Sequence, residues 1–233
     1  MVLIKIQIFV LLEDHQYISI KEVIKKYQNI FFDLDGTISD SYKGIENGIL
    51  FALEKVGIKS ISSQEIKTII GTPLADSLKI HCSNDLKKTS EAVACFREYY
   101  STKGIMECEL YPGMQELLAW ASNFYKLFVI TAKPTIYANQ LLEFQKVATF
   151  FTEIKGCELE SNNFKKSNLM RSIPNSIESI IIGDKKQDIE AGKEIGIKTC
   201  GVLYGYGTEK EIKESNPDFI VNSISELKHL LHF

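Results

Sequence analysis

Two aspartates, Asp33 and Asp35, stand one residue apart, directly after an apolar run and just before Gly36 and Thr37. Two carboxylates this close repel each other, and taking them out of water is costly unless a cation lies between them. Hard oxygen ligands with few imidazole or thiolate groups nearby favour Mg²⁺. The pair therefore predicts a magnesium site, and a solvated Asp-Gly turn after a buried strand is the simpler alternative.

Polar residues also end two other apolar runs. Asp184 follows one of them and would add a third carboxylate to an oxygen-rich metal site. Thr131 follows the other, and its hydroxyl, together with the backbone N–H of Ala132, could bind an anion at a helix start. Thr131 could equally be an ordinary N-cap of the following helix.

Asp188 and a lysine pair complete the candidate set. Asp188 stands near a predicted helix start, either as an outer acceptor for the site or as an acid favoured there by the helix dipole. A site with three carboxylates needs a fixed cation before it can accept an anionic substrate. Lys165 and Lys166 are the candidates, although paired lysines are usually solvated.

Alternating elements must bring these residues together. Continuous apolar runs predict buried parallel strands near residues 30–32, 127–130, 179–182, 199–203 and 219–221. Helical spacing separates most of them, which predicts an α/β fold with right-handed crossovers and chemistry at the carboxyl ends of the strands. Residues 39–109 show helical patterns at 45–56, 64–70, 74–82 and 84–103 and no strand signal, so we expect an inserted helical module.

Residues 1–28 lie before this pattern. Residues 1–12 are apolar but too short to span a bilayer, and they lack the basic start and cleavage site of a signal peptide. Alternation at 4–8 suits an edge strand, and 13–27 suggest a helix or turn. We expect an ordered extension packed on the main domain, with a misassigned start or a targeting segment as the lesser alternatives.

Composition narrows the function classes. The net charge of −3 gives no electrostatic footprint for a nucleic-acid polymer. The five cysteines are widely spaced without a C-x-x-C pair, and the four histidines form no ligand-spaced cluster. Both facts argue against a disulfide framework or a zinc site and favour a cytoplasmic protein without a membrane partner.

Four motifs together resemble the haloacid dehalogenase-like superfamily: DLDGT at 33–37, Thr131, Lys166, and Gly183-Asp184 with Asp188. The sequences DLDGTISDS, GTPL, LYPGM and GVLYGYG are similar to the phosphoglycolate phosphatase-like branch. The resemblance covers residue 30 to the C-terminus. It implies a Rossmann-like core at 29–38 and 110–233, with a helical cap at 39–109.

The resemblance also implies roles. Asp33 would be the nucleophile that forms an aspartyl-phosphate, and Asp35 would be the general acid and then the base. Mg²⁺ would be held by Asp33, the backbone carbonyl of Asp35, and Asp184. Thr131, Ala132 and Lys166 would bind the phosphoryl oxygens, with Asp188 behind them. The partner would be a small phosphorylated metabolite, and the protein a monomer or homodimer.

Some alternatives stay open. Ala132 stands where the family usually has Asn or Ser, and Lys165 could replace Lys166 as the phosphate ligand. A β-phosphoglucomutase-like isomerase shares every core motif, although the cap loop at 71–74 lacks the Arg or Lys expected for a phosphosugar. A non-catalytic scaffold is disfavoured because every acid is present, and Asp35 counts against dehalogenase and phosphonate-cleaving chemistry.

Overall fold

The computed structural model describes residues 9–11, 17–19, 27–59, 61–159 and 164–232. Its strands are β1 Phe9–Leu11, β2 Tyr17–Ser19, β3 Asn29–Phe32, β4 Ser39–Asp40, β5 Glu109–Leu110, β6 Lys126–Pro134, β7 Glu153–Cys157, β8 Ser179–Gly183, β9 Lys198–Val202 and β10 Phe219–Val221. Its α-helices are α1 Tyr42–Lys55, α2 Ser63–Ile69, α3 Leu74–His81, α4 Leu86–Thr102, α5 Met114–Ala121, α6 Thr135–Phe144, α7 Lys166–Arg171, α8 Lys186–Ile195, α9 Glu209–Glu214 and α10 Ile224–His232.

Six of the described strands form a central parallel sheet with the order β10-β9-β8-β3-β6-β7. Strand β3 lies between β6 and β8, and Phe32 is in register with Val129 and with Ile182. The residues that follow these three strands therefore emerge side by side at one edge. The predicted α/β fold with a parallel sheet is confirmed.

Alternation along the central strands divides the core between the two faces of the sheet, because successive strand side chains point in opposite directions. Ile30 and Phe32 pack into the larger hydrophobic cluster. Phe31 points to the other face, where its ring meets Phe128 edge-on at 5.6 Å and packs near Met170 of α7. Both faces are covered, which explains the uninterrupted apolar runs.

Helices α1 to α4 occupy the segment between β4 and β5. These two short strands pair antiparallel, with Ser39 opposite Leu110, where the chain leaves and re-enters the core. The sequence did not predict strands here, because two residues are too few to show an alternating pattern. Helix α2 begins at Ser63, and its N-cap residue Ser62 forms a capping box with Glu65.

Other boundaries differ from the sequence expectation. Strand β6 continues past Thr131 to Pro134, which pairs with Cys157 after a shift of register, and Pro is tolerated at such an irregular strand end. The Pro-Gly pair at 112–113 predicts a helix with Pro112 in its first turn, but Pro112 precedes α5, whose N-cap residue is Gly113. Within residues 13–27, predicted as a helix or turn, Tyr17–Ser19 form a strand paired with Phe9–Leu11. The predicted strand at 4–8 lies outside the described residues.

Helices in the described ranges are all too short or too polar to cross a membrane.

Candidate active site

Asp33 lies at the carboxyl end of the central strand and is almost fully buried. Its Oδ1 forms an ion pair with Nζ of Lys166, at 2.7 Å. Lys166 is the first residue of α7 and is buried too, whereas its neighbour Lys165 is exposed. Burial raises the pKa of Asp33, Lys166 opposes that rise, and the charges of Asp188 and Asp184 add to it.

Asp184 and Asp188 are fully buried beside Asp33. One oxygen from each of the three carboxylates lies within 4.8 Å of the others. Asp188 Oδ1 contacts Lys166, and its Oδ2 accepts the backbone N–H of Lys185 at 3.0 Å. Burial also raises the pKa of Asp184, with the charge of Asp188 acting in the same direction.

The carboxylate cluster fits a divalent cation. Three acids share the space, and among the described residues Lys166 is the cation that forms ion pairs with two of them. Buried negative charge in excess of its partners is costly, and a hard cation with oxygen ligands removes that cost. Asp33 and Asp184 could supply such ligands, and Asp188 could act through Lys166 or through a bound water.

Gly36 allows Asp184 to approach the loop that follows β3. Its φ is +87°, and a Cβ on this residue would lie 2.4 Å from Asp184 Oδ2. Thr37 donates its hydroxyl to Asp184 Oδ1 at 3.2 Å, and the backbone N–H of Tyr206 donates to Oδ2 at 2.7 Å. Any side chain at Gly36 would push Asp184 away, so the turn needs glycine for both its backbone angle and its contact.

Asp35 lies on the other side of the turn, outside the carboxylate cluster. Its Oδ2 forms an ion pair with Nζ of Lys133, at 3.0 Å. Its Oδ1 accepts a hydrogen bond from the Ser41 hydroxyl. Lys133 also donates to the hydroxyl of Tyr100, at 2.8 Å, so a residue of helix α4 takes part in this arrangement.

Thr131 and Ala132 follow the apolar part of β6 and line the same cavity as Asp33 and Asp35. The Thr131 hydroxyl oxygen accepts the backbone N–H of Lys133 at 3.1 Å. Its own proton is therefore directed elsewhere and could be donated to an anion. Thr131 does not cap helix α6, because Pro134 occupies the N-cap position.

A cavity of about 510 Å³ opens above these residues, between the sheet edge and helices α1 to α4. Its upper wall is mainly apolar and includes Ile69, Leu74, Leu86, Val93, Phe96 and Tyr100. Lys133 and Arg97 are the cationic residues among the described lining, and Arg97 donates to the carbonyl of Leu159 at 2.5 Å. Asp76 and Glu158 add negative charge.

The structure thus brings together most residues that the sequence singled out. Asp33, Lys166, Asp184 and Asp188 form one buried cluster, and Asp35, Thr131 and Ala132 share the cavity with Asp33. Sequence reasoning missed Lys133. Its only signal was its place two residues beyond Thr131, and that signal required the strand to continue past Thr131, which the irregular pairing with β7 decides. Tyr100 gave no comparable signal.

The chain matches the family model described as haloacid dehalogenase-like hydrolase over residues 30–202. A 5′-nucleotidase of Pseudomonas aeruginosa is 30% identical to this chain, and the match covers 91% of this chain and 98% of the length of that protein. A phosphoglycolate phosphatase of Vibrio parahaemolyticus is 30% identical over 85% of this chain and 93% of its own. The crystal structure of a predicted phosphatase from Clostridium acetobutylicum superposes with a TM-score of 0.81 at 31% identity, covering 89% of this chain and 99% of that one.

Proposed function

Because the chain belongs to the haloacid dehalogenase-like hydrolases, we propose that it is a magnesium-dependent phosphatase acting on a small phosphomonoester through an aspartyl-phosphate at Asp33. The observation that carries this proposal is the position of Asp33. It lies at the floor of the cavity, paired with Lys166 and clustered with two further carboxylates. Relatives named as phosphatases and a nucleotidase support the same reaction class.

The reaction would proceed in two steps. An oxygen of Asp33 attacks phosphorus, the bond from phosphorus to the leaving oxygen breaks, and Asp35 gives its proton to that oxygen. Asp35 then takes a proton from water as the water attacks phosphorus, and Asp33 leaves as a free carboxylate. Both steps require a general acid or base within reach of the cavity, and Asp35 lines it.

Asp33 can act as a nucleophile only if nearby positive charge reduces its repulsion from the phosphate. A carboxylate and a phosphate repel each other, so positive charge must first offset both. Lys166 would orient Asp33 and face the phosphoryl oxygens, with the hydroxyl of Thr131 and the backbone N–H of Ala132 as neutral donors. Magnesium, held by Asp33, the backbone carbonyl of Asp35 and Asp184, would supply Lewis-acid stabilisation of the phosphoryl oxygens.

Helices α1 to α4, within residues 39–109, would act as a cap that selects the leaving group. Their cavity wall is mainly apolar, and among its described residues it carries one acid, Asp76, and one base, Arg97, whose guanidinium already donates to the Leu159 carbonyl. A second carboxylate, as in phosphoglycolate, would lose its water mainly against apolar side chains there, which is unfavourable. The wall suits an uncharged organic group instead, and the cavity of about 510 Å³ is large enough for a nucleoside.

A substrate panel tests the proposal. Phosphate release is measured for a nucleoside 5′-monophosphate, phosphoglycolate and glucose 1-phosphate, each with magnesium or with a chelator. We expect magnesium-dependent release, with kcat/KM for the nucleotide about tenfold above that for phosphoglycolate, equal to about 1.4 kcal/mol.

Asp33→Asn keeps the size of the side chain and removes the nucleophile, so it is the control. Its activity should fall by a factor of about a thousand or more, as removal of a nucleophile does in other enzymes. Equal activity in the variant, or undiminished activity with the chelator, would refute the phosphatase proposal. Conversion of glucose 1-phosphate to glucose 6-phosphate without phosphate release would indicate an isomerase instead.

A further inference from the structure

Lys133 is a buried cation for which the two-step reaction above has no role. Its side chain is 6% exposed, at the carboxyl-terminal end of β6. A buried ammonium group is costly unless charged and polar partners surround it. The partners of Lys133 Nζ are Asp35 Oδ2, at 3.0 Å, and the hydroxyl of Tyr100, at 2.8 Å.

Tyr100 holds the same ammonium group from the side of helix α4. Its hydroxyl lies 2.8 Å from Lys133 Nζ, and the ammonium lies 4.5 Å from the centre of its ring. The ring is buried, stacked on Phe96 at 5.3 Å and met edge-on by Tyr137 at 5.7 Å. Packing on two sides fixes the ring, so the position of the hydroxyl follows the position of helix α4.

Asp35 is consequently held through both of its carboxylate oxygens. Ser41 donates to Oδ1 from the loop before α1, and Lys133 lies against Oδ2. We propose that Lys133 is a positioning residue that orients Asp35 for proton transfer, and that Tyr100 makes this orientation depend on helix α4 lying against the core. The inference rests on the proposed function, because it assumes that Asp35 is the general acid and base.

The chemistry explains why the orientation matters. The first step requires Asp35 to carry a proton, which it gives to the leaving oxygen as it becomes the carboxylate that Lys133 contacts in the structure. Lys133 offsets the negative charge that forms there, and no proton leaves the lysine. A poor leaving group such as an alkoxide requires this proton, whereas a nitrophenolate leaves without it. Small errors in the placement of a catalytic group are costly for the first kind of substrate.

The test compares two substrates in variants of the full chain. kcat/KM is measured with an alkyl phosphate and with p-nitrophenyl phosphate, because this parameter covers steps up to formation of the phosphoenzyme. In Lys133→Met we expect the alkyl substrate to lose at least about tenfold more than the nitrophenyl substrate, a part of the usual contribution of a general acid. Asp35→Asn should shift the same ratio further in the same direction.

Tyr100→Phe is the mild second variant, since it removes one hydroxyl and keeps the ring. It should shift the ratio by about threefold, the change that corresponds to one hydrogen bond of ordinary net strength. Tyr99→Phe is the matched control on the same helix, because the hydroxyl of Tyr99 donates to Glu107 at 3.1 Å. It should leave the ratio unchanged.

The outcomes separate the possible roles of Lys133. If both substrates lose activity equally in Lys133→Met and in Tyr100→Phe, the lysine binds the phosphoryl group or supports the fold, and the inference is wrong. An unchanged ratio with wild-type activity in both variants also overturns it. If the wild type hydrolyses neither substrate, the proposed function itself fails. Should Lys133→Met not fold, the ratio in Tyr100→Phe decides alone.

Discussion

Replacing Lys166 with Met should destabilise the protein as well as inactivate it. The ammonium of Lys166 is nearly buried, 2.7 Å from Asp33, and also in contact with Asp188. Met has a similar length, so the variant removes the charge and leaves little cavity. Two buried carboxylates would then lose their partner.

The expected loss of stability follows from the burial of the ion pair between Lys166 and Asp33. Removing one member of a buried ion pair costs about 3–5 kcal/mol, because the remaining charge stays out of water without compensation. For a chain of this length each kcal/mol lowers Tm by about 2–4 °C. Lys166→Met should therefore unfold about 6–20 °C below the wild type in the absence of divalent cations.

Lys165→Met is the matched control, since Lys165 is adjacent in sequence but exposed. Its free energy of unfolding should stay within about 0.5 kcal/mol of the wild type, as for other exposed positions. Thermal unfolding with and without magnesium, followed by phosphate release, gives both readouts. Magnesium should raise Tm more in Lys166→Met than in the wild type, because the variant carries more uncompensated negative charge.

Two results would refute this reasoning. If Lys165→Met and Lys166→Met lowered Tm equally, the burial of Lys166 would not determine its importance. If Lys165→Met alone lost activity, the neighbouring lysine would be the phosphate ligand.

Three further tests concern the turn at Gly36, the cavity wall and Asp218. Gly36→Ala should abolish magnesium-dependent stabilisation in a cation titration, because its Cβ would strike Asp184. Gly57→Ala, at a φ of +71° with open space around it, is the control: it should cost about 1–2 kcal/mol in unfolding experiments and keep the response to magnesium. The ratio of kcat/KM for phosphoglycolate to kcat/KM for a nucleotide should be higher in Val93→Lys than in Val93→Met. An equal ratio in the two variants would mean that the cavity wall does not select the substrate. Burial alone would raise the pKa of Asp218, but hydrogen bonds and charge from strand β9 lower it, so its contribution is present above its ordinary pKa of about 4 and lost as pH falls through the folded-state value. Asp218→Asn should accordingly lower Tm at neutral pH and match the wild type in acid, and a constant difference would contradict this.

The fold could be predicted from the sequence because each central strand has a clear local pattern. Apolar runs before Asp33, Thr131 and Asp184 predict three buried strands, and parallel pairing then aligns their ends. The comparisons confirm the family and agree with the expected enzyme class. The roles of the individual site residues, and the division into core and cap, stay predictions.

The links between distant elements were not predictable. Tyr100 reaches Lys133 only because helix α4 packs over the end of β6, and no local pattern encodes that contact. The extension of β6 to Pro134 depends on its irregular pairing with β7. The apolar wall of the cavity likewise comes from several helices at once, whose relative placement is decided by packing and not by periodicity.

Detection of the phosphoenzyme would show whether Asp33 is the nucleophile. The variant Asp35→Asn should form the intermediate from p-nitrophenyl phosphate, whose leaving group needs no proton, but hydrolyse it slowly. It is mixed with this substrate and magnesium, quenched in acid and treated with borohydride. Mass spectrometry should then find Asp33 converted to homoserine, the product of reducing its acyl phosphate. If a different residue were modified, or if the variant released phosphate while its Asp33 was never converted to homoserine, Asp33 would not be the nucleophile.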